Sequence, residues 1–156
     1  MSGNIAIGIQ DFSTIIQGNY FYIDKTPFIK EWWDCGDSAT LITRPRRFGK
    51  TLTMSMVEQF FSIDYAGRSN LFEHLAIWKE EKYRELQGTY PVISLSFARI
   101  KERDYEKTKQ KMCEVLRNIY IKFCYIKDSE KLTDADRAYY AVSYTHLRAH
   151  ETRRHL

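Results

Sequence analysis

The stretch TRPRRFGKTLTMSM, residues 43–56, decides how the fold of this chain is interpreted. It contains Gly49-Lys50-Thr51, the end of the phosphate-binding pattern GxxxxGK[ST], but Arg44 stands where that pattern has its first glycine. In such a loop, backbone N–H groups at a helix N-terminus bind phosphate oxygens, because the helix dipole favours anions there. The stretch is therefore either a nucleotide site or a basic loop that contains Gly-Lys-Thr by chance.

The residues on either side of the loop favour a nucleotide site. Residues 39–43 are a short apolar, β-prone run that predicts a buried parallel strand. A helix is predicted from about residue 49 to residue 61, with apolar positions at helical spacing: Leu52, Met56, Val57, Phe60 and Phe61. Pro45 argues the other way, because proline removes one backbone donor and stiffens the loop.

The loop residues have separate expected roles. Lys50 would place a point charge on the β- and γ-phosphates, the Thr51 hydroxyl would bind Mg²⁺, and Gly49 would let the backbone approach the nucleotide. Arg46 and Arg47 either pair with phosphates or only solvate the loop and pair with neighbouring acids. The predicted nucleotide-binding residues are Arg44, Pro45, Arg46, Arg47, Phe48, Gly49, Lys50, Thr51 and Leu52.

Helices and strands alternate along the rest of the predicted chain. Further strands are predicted at residues 20–23 and 90–97. Helices are predicted at residues 11–17, 28–33, 71–86 and 103–126, and from about residue 134, where Thr133 is the cap. This alternation predicts an α/β sheet rather than a helical bundle.

Composition excludes several classes of protein. The chain has 156 residues, about one domain, and 44% of them are hydrophobic, so it is not predominantly disordered. A net charge of +4 is too small to argue for nucleic acid by itself. No apolar run reaches the roughly 18 residues of a membrane span. Cys35, Cys113 and Cys124 lack metal-ligand spacing and indicate buried free thiols in a reducing cytoplasm.

The end of the chain differs from the rest. Residues 143–156 hold three of the four histidines and show no apolar period. His146 and His150 have the spacing of a helical metal pair, but no third ligand is near them in the sequence. The run is also similar to a translated sequencing-adapter peptide. We therefore predict a domain over residues 1–142 and a foreign or disordered tail over residues 143–156.

Several stretches together resemble one family. They are Ile7-Gly8-Ile9-Gln10-Asp11-Phe12, Tyr22-Ile23-Asp24-Lys25-Thr26, the loop from Leu41 to Met56, Leu71-Phe72-Glu73 and Tyr90-Pro91-Val92-Ile93. Over about residues 5–142 the chain resembles the bacterial AAA-ATPase-like family, in which Arg-Pro-Arg-Arg-Phe-Gly-Lys-Thr is the family's own version of the phosphate loop.

The resemblance implies a fold and an activity. The fold would be the N-terminal portion of an incomplete P-loop NTPase (RecA/AAA-like) three-layer α/β fold, using ATP and Mg²⁺ in the cytoplasm. Family members often continue into a restriction-endonuclease-like domain, which implies a nucleic-acid partner and no membrane. The acidic strand that activates water is expected after residue 142, so no catalytic residue is assigned and the chain alone is expected to be inactive and poorly soluble.

Two functions remain open from the sequence. The chain is either the ATP-binding N-terminal part of an ATPase, or a degenerate loop whose Arg44, Arg46, Arg47 and Lys50 bind phosphodiester backbones. Protection by Mg²⁺-ATP would support the first, and salt-sensitive DNA binding would support the second. Asp24-Lys25-Thr26 is expected to have a structural role or to lie at the edge of the nucleotide, with Thr26 as a helix cap.

Overall fold

The structure, a computed structural model, describes residues 4–5, 7–45, 47–98 and 100–152, the last four by their backbone alone. Its α-helices are α1 (Phe12–Gln17), α2 (Pro27–Cys35), α3 (Lys50–Phe61), α4 (Glu81–Arg84), α5 (Tyr105–Lys122) and α6 (Asp134–Thr152). Short 3-10 helices lie at Ile63–Tyr65, Ser69–Leu71, Ala76–Lys79 and Cys124–Asp128. The chain divides after Val92 into two units, which are described separately.

The predicted α/β three-layer fold, an incomplete P-loop NTPase sheet, is wrong. The described residues form no β-strand, and their β-type pairing is a single parallel bridge between Ser62 and Tyr90. A strand needs a neighbour about 4.8 Å away with which to exchange hydrogen bonds. Residues 39–43 form no backbone hydrogen bond with another described residue, so their β propensity finds no partner.

The first unit has an aromatic core built around α3. Met56, Phe60 and Phe61 of α3 are buried, as the helical spacing predicts, and Leu52 and Val57 pack against them. Further members of the core come from other helices, from 3-10 helices and from the residue after one of them: Phe12, Ile29, Leu71, Phe72, Ile77 and Tyr83. The Phe72 ring lies 5.1 Å from the rings of both Phe12 and Phe60, which joins three segments of the chain.

Helix α1 begins and ends where the sequence predicts. The Asp11 carboxylate accepts a 2.8 Å hydrogen bond from the backbone N–H of Thr14, and Gly18 ends the helix. Asp11 also accepts a hydrogen bond from the Gln59 side chain, which ties α1 to α3. Burial raises the pKa of Asp11, but hydrogen bonds from Ser13, Thr14 and Gln59 outweigh it and hold that pKa below its usual value.

The predicted helix over residues 71–86 is also wrong. The chain there forms short 3-10 helices and α4, and the backbone at Leu75 and Glu80 is extended. The N–H groups of Ala76 and Ile77 donate to the side chains of Asp24 and Thr26, at 2.7 and 3.2 Å. These long-range hydrogen bonds take donors that a continuous helix would use internally.

The second unit consists mainly of α5 packed against α6. The ring of Tyr140 lies 4.8 Å from the ring of Tyr120, and its hydroxyl donates to the Tyr120 carbonyl at 2.6 Å. Thr133 caps α6 as predicted, through reciprocal hydrogen bonds with Asp136. Helix α6 continues through Thr152, beyond the predicted boundary at residue 142, and that boundary stays a prediction.

Six apolar residues at helical spacing within the predicted helix 103–126 predict a core-facing stripe, and half of them are exposed; the six are Tyr105, Met112, Val115, Leu116, Ile119 and Phe123. Tyr105, Met112 and Leu116 are exposed, and Phe123, just after the helix, is buried. The three cysteines are free, as predicted, but Cys35 and Cys124 are exposed rather than buried. None of the helices in the described part of the chain combines the length and the apolar character that crossing a membrane requires.

Candidate functional site

The Gly49-Lys50-Thr51 segment enters a helix, as the sequence predicts. Gly49 is the residue before α3, with φ +74° and ψ +22°, a left-handed conformation that glycine adopts without strain. Its carbonyl accepts hydrogen bonds from the N–H of Thr53 at 2.8 Å and from the Thr53 hydroxyl at 3.1 Å. Among the described residues, no side chain caps the N-terminus of α3, and unpaired N–H groups of a first turn are donors that an anion can use.

The Lys50 side chain closes the loop on itself. Its ammonium group donates a 2.6 Å hydrogen bond to the carbonyl of Arg44, six residues earlier. Arg44 occupies the position of the first glycine in the phosphate-loop pattern, and this contact uses only its backbone. The ring formed by this hydrogen bond is therefore compatible with arginine at that position.

A second lysine reaches the loop from a distant part of the sequence. The ammonium group of Lys25 donates a 3.2 Å hydrogen bond to the carbonyl of Phe48. A β-carbon placed on Gly49 would lie 2.8 Å from that nitrogen. Glycine at position 49 therefore leaves room for the Lys25 ammonium beside the loop backbone.

A cavity of about 420 Å³ lies next to the loop, within the first unit. That volume is in the range of small-molecule sites. Its lining combines apolar side chains with charged ones: Asp24, Lys25, Pro27, Phe28, Glu31, Ile42, Arg44, Phe48, Lys50 and Thr53. Three of these residues are cations and two are acids, so the wall of the cavity is suited to a ligand that has an anionic part and an apolar part.

The acid Asp24 is occupied by structural hydrogen bonds. One carboxylate oxygen accepts from the N–H and the hydroxyl of Thr26, and the other accepts from the N–H of Ala76. Thr26 is completely buried, and its hydroxyl donates to the Asp24 carboxylate and accepts from the N–H of Ile77. Thr26 is the N-cap residue of α2, as the sequence predicts, but its side chain forms no capping hydrogen bond with that helix.

The predicted site residues do not all lie in the same surroundings. Arg44, Phe48 and Lys50 line the cavity. Thr51 is exposed at the start of α3 and is not part of the lining, and Leu52 packs against the core. Pro45, Arg47 and Gly49 belong to the loop, where Arg47 has a left-handed φ of +68°, and the prediction for Arg46 lies outside the described residues.

Sequence reasoning missed part of the cavity lining. Lys25 was left with an open role, and Glu31 and Thr53 were not considered. The segment Asp24-Lys25-Thr26 could have pointed to Lys25, because a lysine between two residues with structural roles can bind a partner outside the segment. Glu31 lies on an ordinary amphipathic helix and gave no such indication.

A preformed metal site is not found in the part of the chain that the structure describes. No group of three or more His, Cys, Asp or Glu side chains comes together there. If Asp24 does not bind the metal, Asp64 is a further acid to consider, but it follows the C-terminal end of α3, a helix about 18 Å long, whereas the loop lies at the N-terminal end of that helix. The side chain of His150 lies outside the described residues, so the pair with His146 stays a prediction.

Comparison with known protein families identifies the family of this chain. The family model described as "Predicted AAA-ATPase" matches residues 6–154. The chain belongs to the AAA-ATPase-like family. The AAA-ATPase-like match covers the loop, the Asp24-Lys25-Thr26 segment and both units.

One curated relative shares clear similarity with this AAA-ATPase-like chain. It is an uncharacterised protein encoded in the 5′ region of vnfD in Azotobacter chroococcum mcd 1, 33% identical over 113 residues. The alignment covers 72% of this chain and 20% of that protein, so the chain spans about a fifth of the relative's length. No solved structure matches the chain significantly.

Proposed function

We propose that this AAA-ATPase-like chain binds ATP, with the polyphosphate held at the loop of residues 44–51. The observation that carries the proposal is the closure of that loop by Lys50 on the Arg44 carbonyl, directly before the N-terminus of α3. The family match supports it independently, because residues 6–154 fit a family named for predicted ATPase activity. The adjoining cavity offers room for the rest of a nucleotide.

In this proposal the loop residues keep the roles that their chemistry favours. The ammonium group of Lys50 would turn from the Arg44 carbonyl to phosphate oxygens, which are stronger acceptors because they carry charge. The first-turn N–H groups of α3 would donate to the same oxygens. The apolar side chains of Phe28 and Ile42, on the cavity wall, would contact the base.

Magnesium would be bound together with the nucleotide. Mg²⁺ is usually held by one or two protein oxygens, substrate phosphates and water, so it does not need a preformed cluster of acids. The Thr51 hydroxyl, exposed at the start of α3, fits this need for a single protein oxygen. When bound, Mg²⁺ neutralises phosphate charge. ATP hydrolysis, and a nucleic-acid partner through a nuclease-like domain, are proposed only for the longer family protein.

Calorimetric titration with Mg²⁺-ATP tests the proposal. Lys50→Ala should lower the affinity by about ten- to a hundredfold, the usual effect of losing a hydrogen bond to a charged group. Lys79→Ala is the matched control, because Lys79 is an exposed lysine of the same unit that does not line the cavity. An ATP affinity that is unchanged in Lys50→Ala would reject the loop as the phosphate site, and salt-sensitive DNA binding without ATP binding would favour the alternative function.

A further inference from the structure

We infer that Lys25 is a second cation for the phosphates of the nucleotide, acting from outside the loop sequence. This inference rests on the proposed ATP site and adds a phosphate-contacting residue to it. It depends on the position of the Lys25 ammonium, on the partners of the charged groups around it, and on the space left by Gly49.

The Lys25 ammonium is held against the loop by a weak partner. Its hydrogen bond to the Phe48 carbonyl is 3.2 Å long, and that carbonyl is neutral. Among the described residues, Lys25 forms no ion pair. An ammonium group has three donors, so donors remain for a ligand oxygen while the contact with Phe48 persists.

The nearest acid in the sequence forms no ion pair with Lys25 in the described part of the chain. Both carboxylate oxygens of Asp24, which also lines the cavity, accept hydrogen bonds from Thr26 and Ala76 instead. Glu31 is the other carboxylate in the cavity lining, which also contains the cations Lys25, Arg44 and Lys50. Among the described residues of the lining, three cations therefore stand against two carboxylates.

The two lysines bind backbone carbonyls of the same loop, Lys25 that of Phe48 and Lys50 that of Arg44. Lys50 follows Gly49 in the sequence, and Lys25 binds the carbonyl that precedes Gly49. The 2.8 Å between the Lys25 nitrogen and the β-carbon position of Gly49 puts this ammonium group within reach of an anion at the loop. A polyphosphate carries charged oxygens on successive phosphorus atoms, so one ligand offers acceptors for both ammonium groups.

Lys25 could also serve only to hold the loop through Phe48, and substitutions separate the two roles. Lys25→Gln keeps an N–H donor but removes the charge, while Lys25→Arg keeps the charge but changes the geometry at the Phe48 carbonyl. A phosphate contact depends on the charge. A purely structural contact depends on the donor and its position.

The test is Mg²⁺-ATP titration of the full chain and of three variants, Lys25→Gln, Lys25→Arg and the control Lys79→Gln, at several salt concentrations. We expect the ATP affinity to fall about tenfold or more in Lys25→Gln, to stay within about threefold in Lys25→Arg, and to be unchanged in Lys79→Gln. The dependence of ATP affinity on salt should also be weaker in Lys25→Gln, because one ionic contact is lost. Thermal unfolding without nucleotide should be the same in Lys25→Gln and Lys79→Gln.

A failure of the Lys25 inference and a failure of the proposed function give different results. If Lys25→Gln binds ATP as Lys79→Gln does, or if Lys25→Arg loses as much affinity as Lys25→Gln, the phosphate contact is rejected while the ATP site stands. If the unsubstituted chain itself does not bind ATP, the proposed function fails.

Discussion

At the scale of the residue, three consecutive side chains near the loop have different roles. Asp24 and Thr26 bind each other and the backbone of Ala76 and Ile77, whereas Lys25 binds the Phe48 carbonyl. The sequence predicted a structural or nucleotide-edge role for the segment, but it could not assign a role to each residue, because the partners outside the segment lie 23 to 52 positions away. Loop residues next to one another in the sequence were easier to predict than these long-range contacts.

Asp24 should contribute to folding rather than to binding Mg²⁺. Asp24→Ala removes the acceptors for the N–H groups of Thr26 and Ala76 and should lower the free energy of unfolding by about 1–2 kcal/mol. Urea unfolding measures this loss, and Asp37→Ala, at another exposed acid, is the control. Equal stability of the two variants would contradict the anchoring role of Asp24.

At the scale of the element, the sequence predicts helices well when their termination is local. Asp11 and Gly18 bound α1, Gly36 ends α2, and the helix after the loop begins within a residue of its predicted start. The predicted strands fail because a strand requires a partner that propensity does not supply. The helix predicted over residues 71–86 fails because Asp24 and Thr26 take its backbone donors.

Gly36, at the end of α2, allows a test of whether one local residue ends a helix. Gly36 has φ +64°, and a β-carbon added there would meet no atom within 4 Å. Gly36→Ala should therefore destabilise the chain by about 1 kcal/mol through backbone strain alone. Gly36→Asn should cost less in the same urea titration, since asparagine tolerates the left-handed conformation. A neutral alanine substitution would show that this end of α2 is not constrained as described.

At the scale of the whole molecule, the sequence predicted individual helices and the loop better than it predicted the fold class. The spacing of Met56, Phe60 and Phe61 gave the buried face of α3, and the motif gave the loop. The cavity was not predictable, because its lining joins α2, the residues around Ile42, and the loop. In the second unit, α5 keeps the exposed apolar residues Tyr105, Met112 and Leu116, which periodicity alone assigned to a core.

The central claim is that the loop before α3 holds the phosphates of ATP. Amide hydrogen exchange, with and without Mg²⁺-ATP, tests it most directly because it reports on the individual N–H groups that would donate to phosphate oxygens. Mg²⁺-ATP at a concentration that just saturates the unsubstituted chain should slow exchange at residues 47–51 there, and should slow it much less in Lys50→Ala, whose affinity is lower. Exchange at residues 47–51 that does not respond to saturating Mg²⁺-ATP in the unsubstituted chain would contradict the claim.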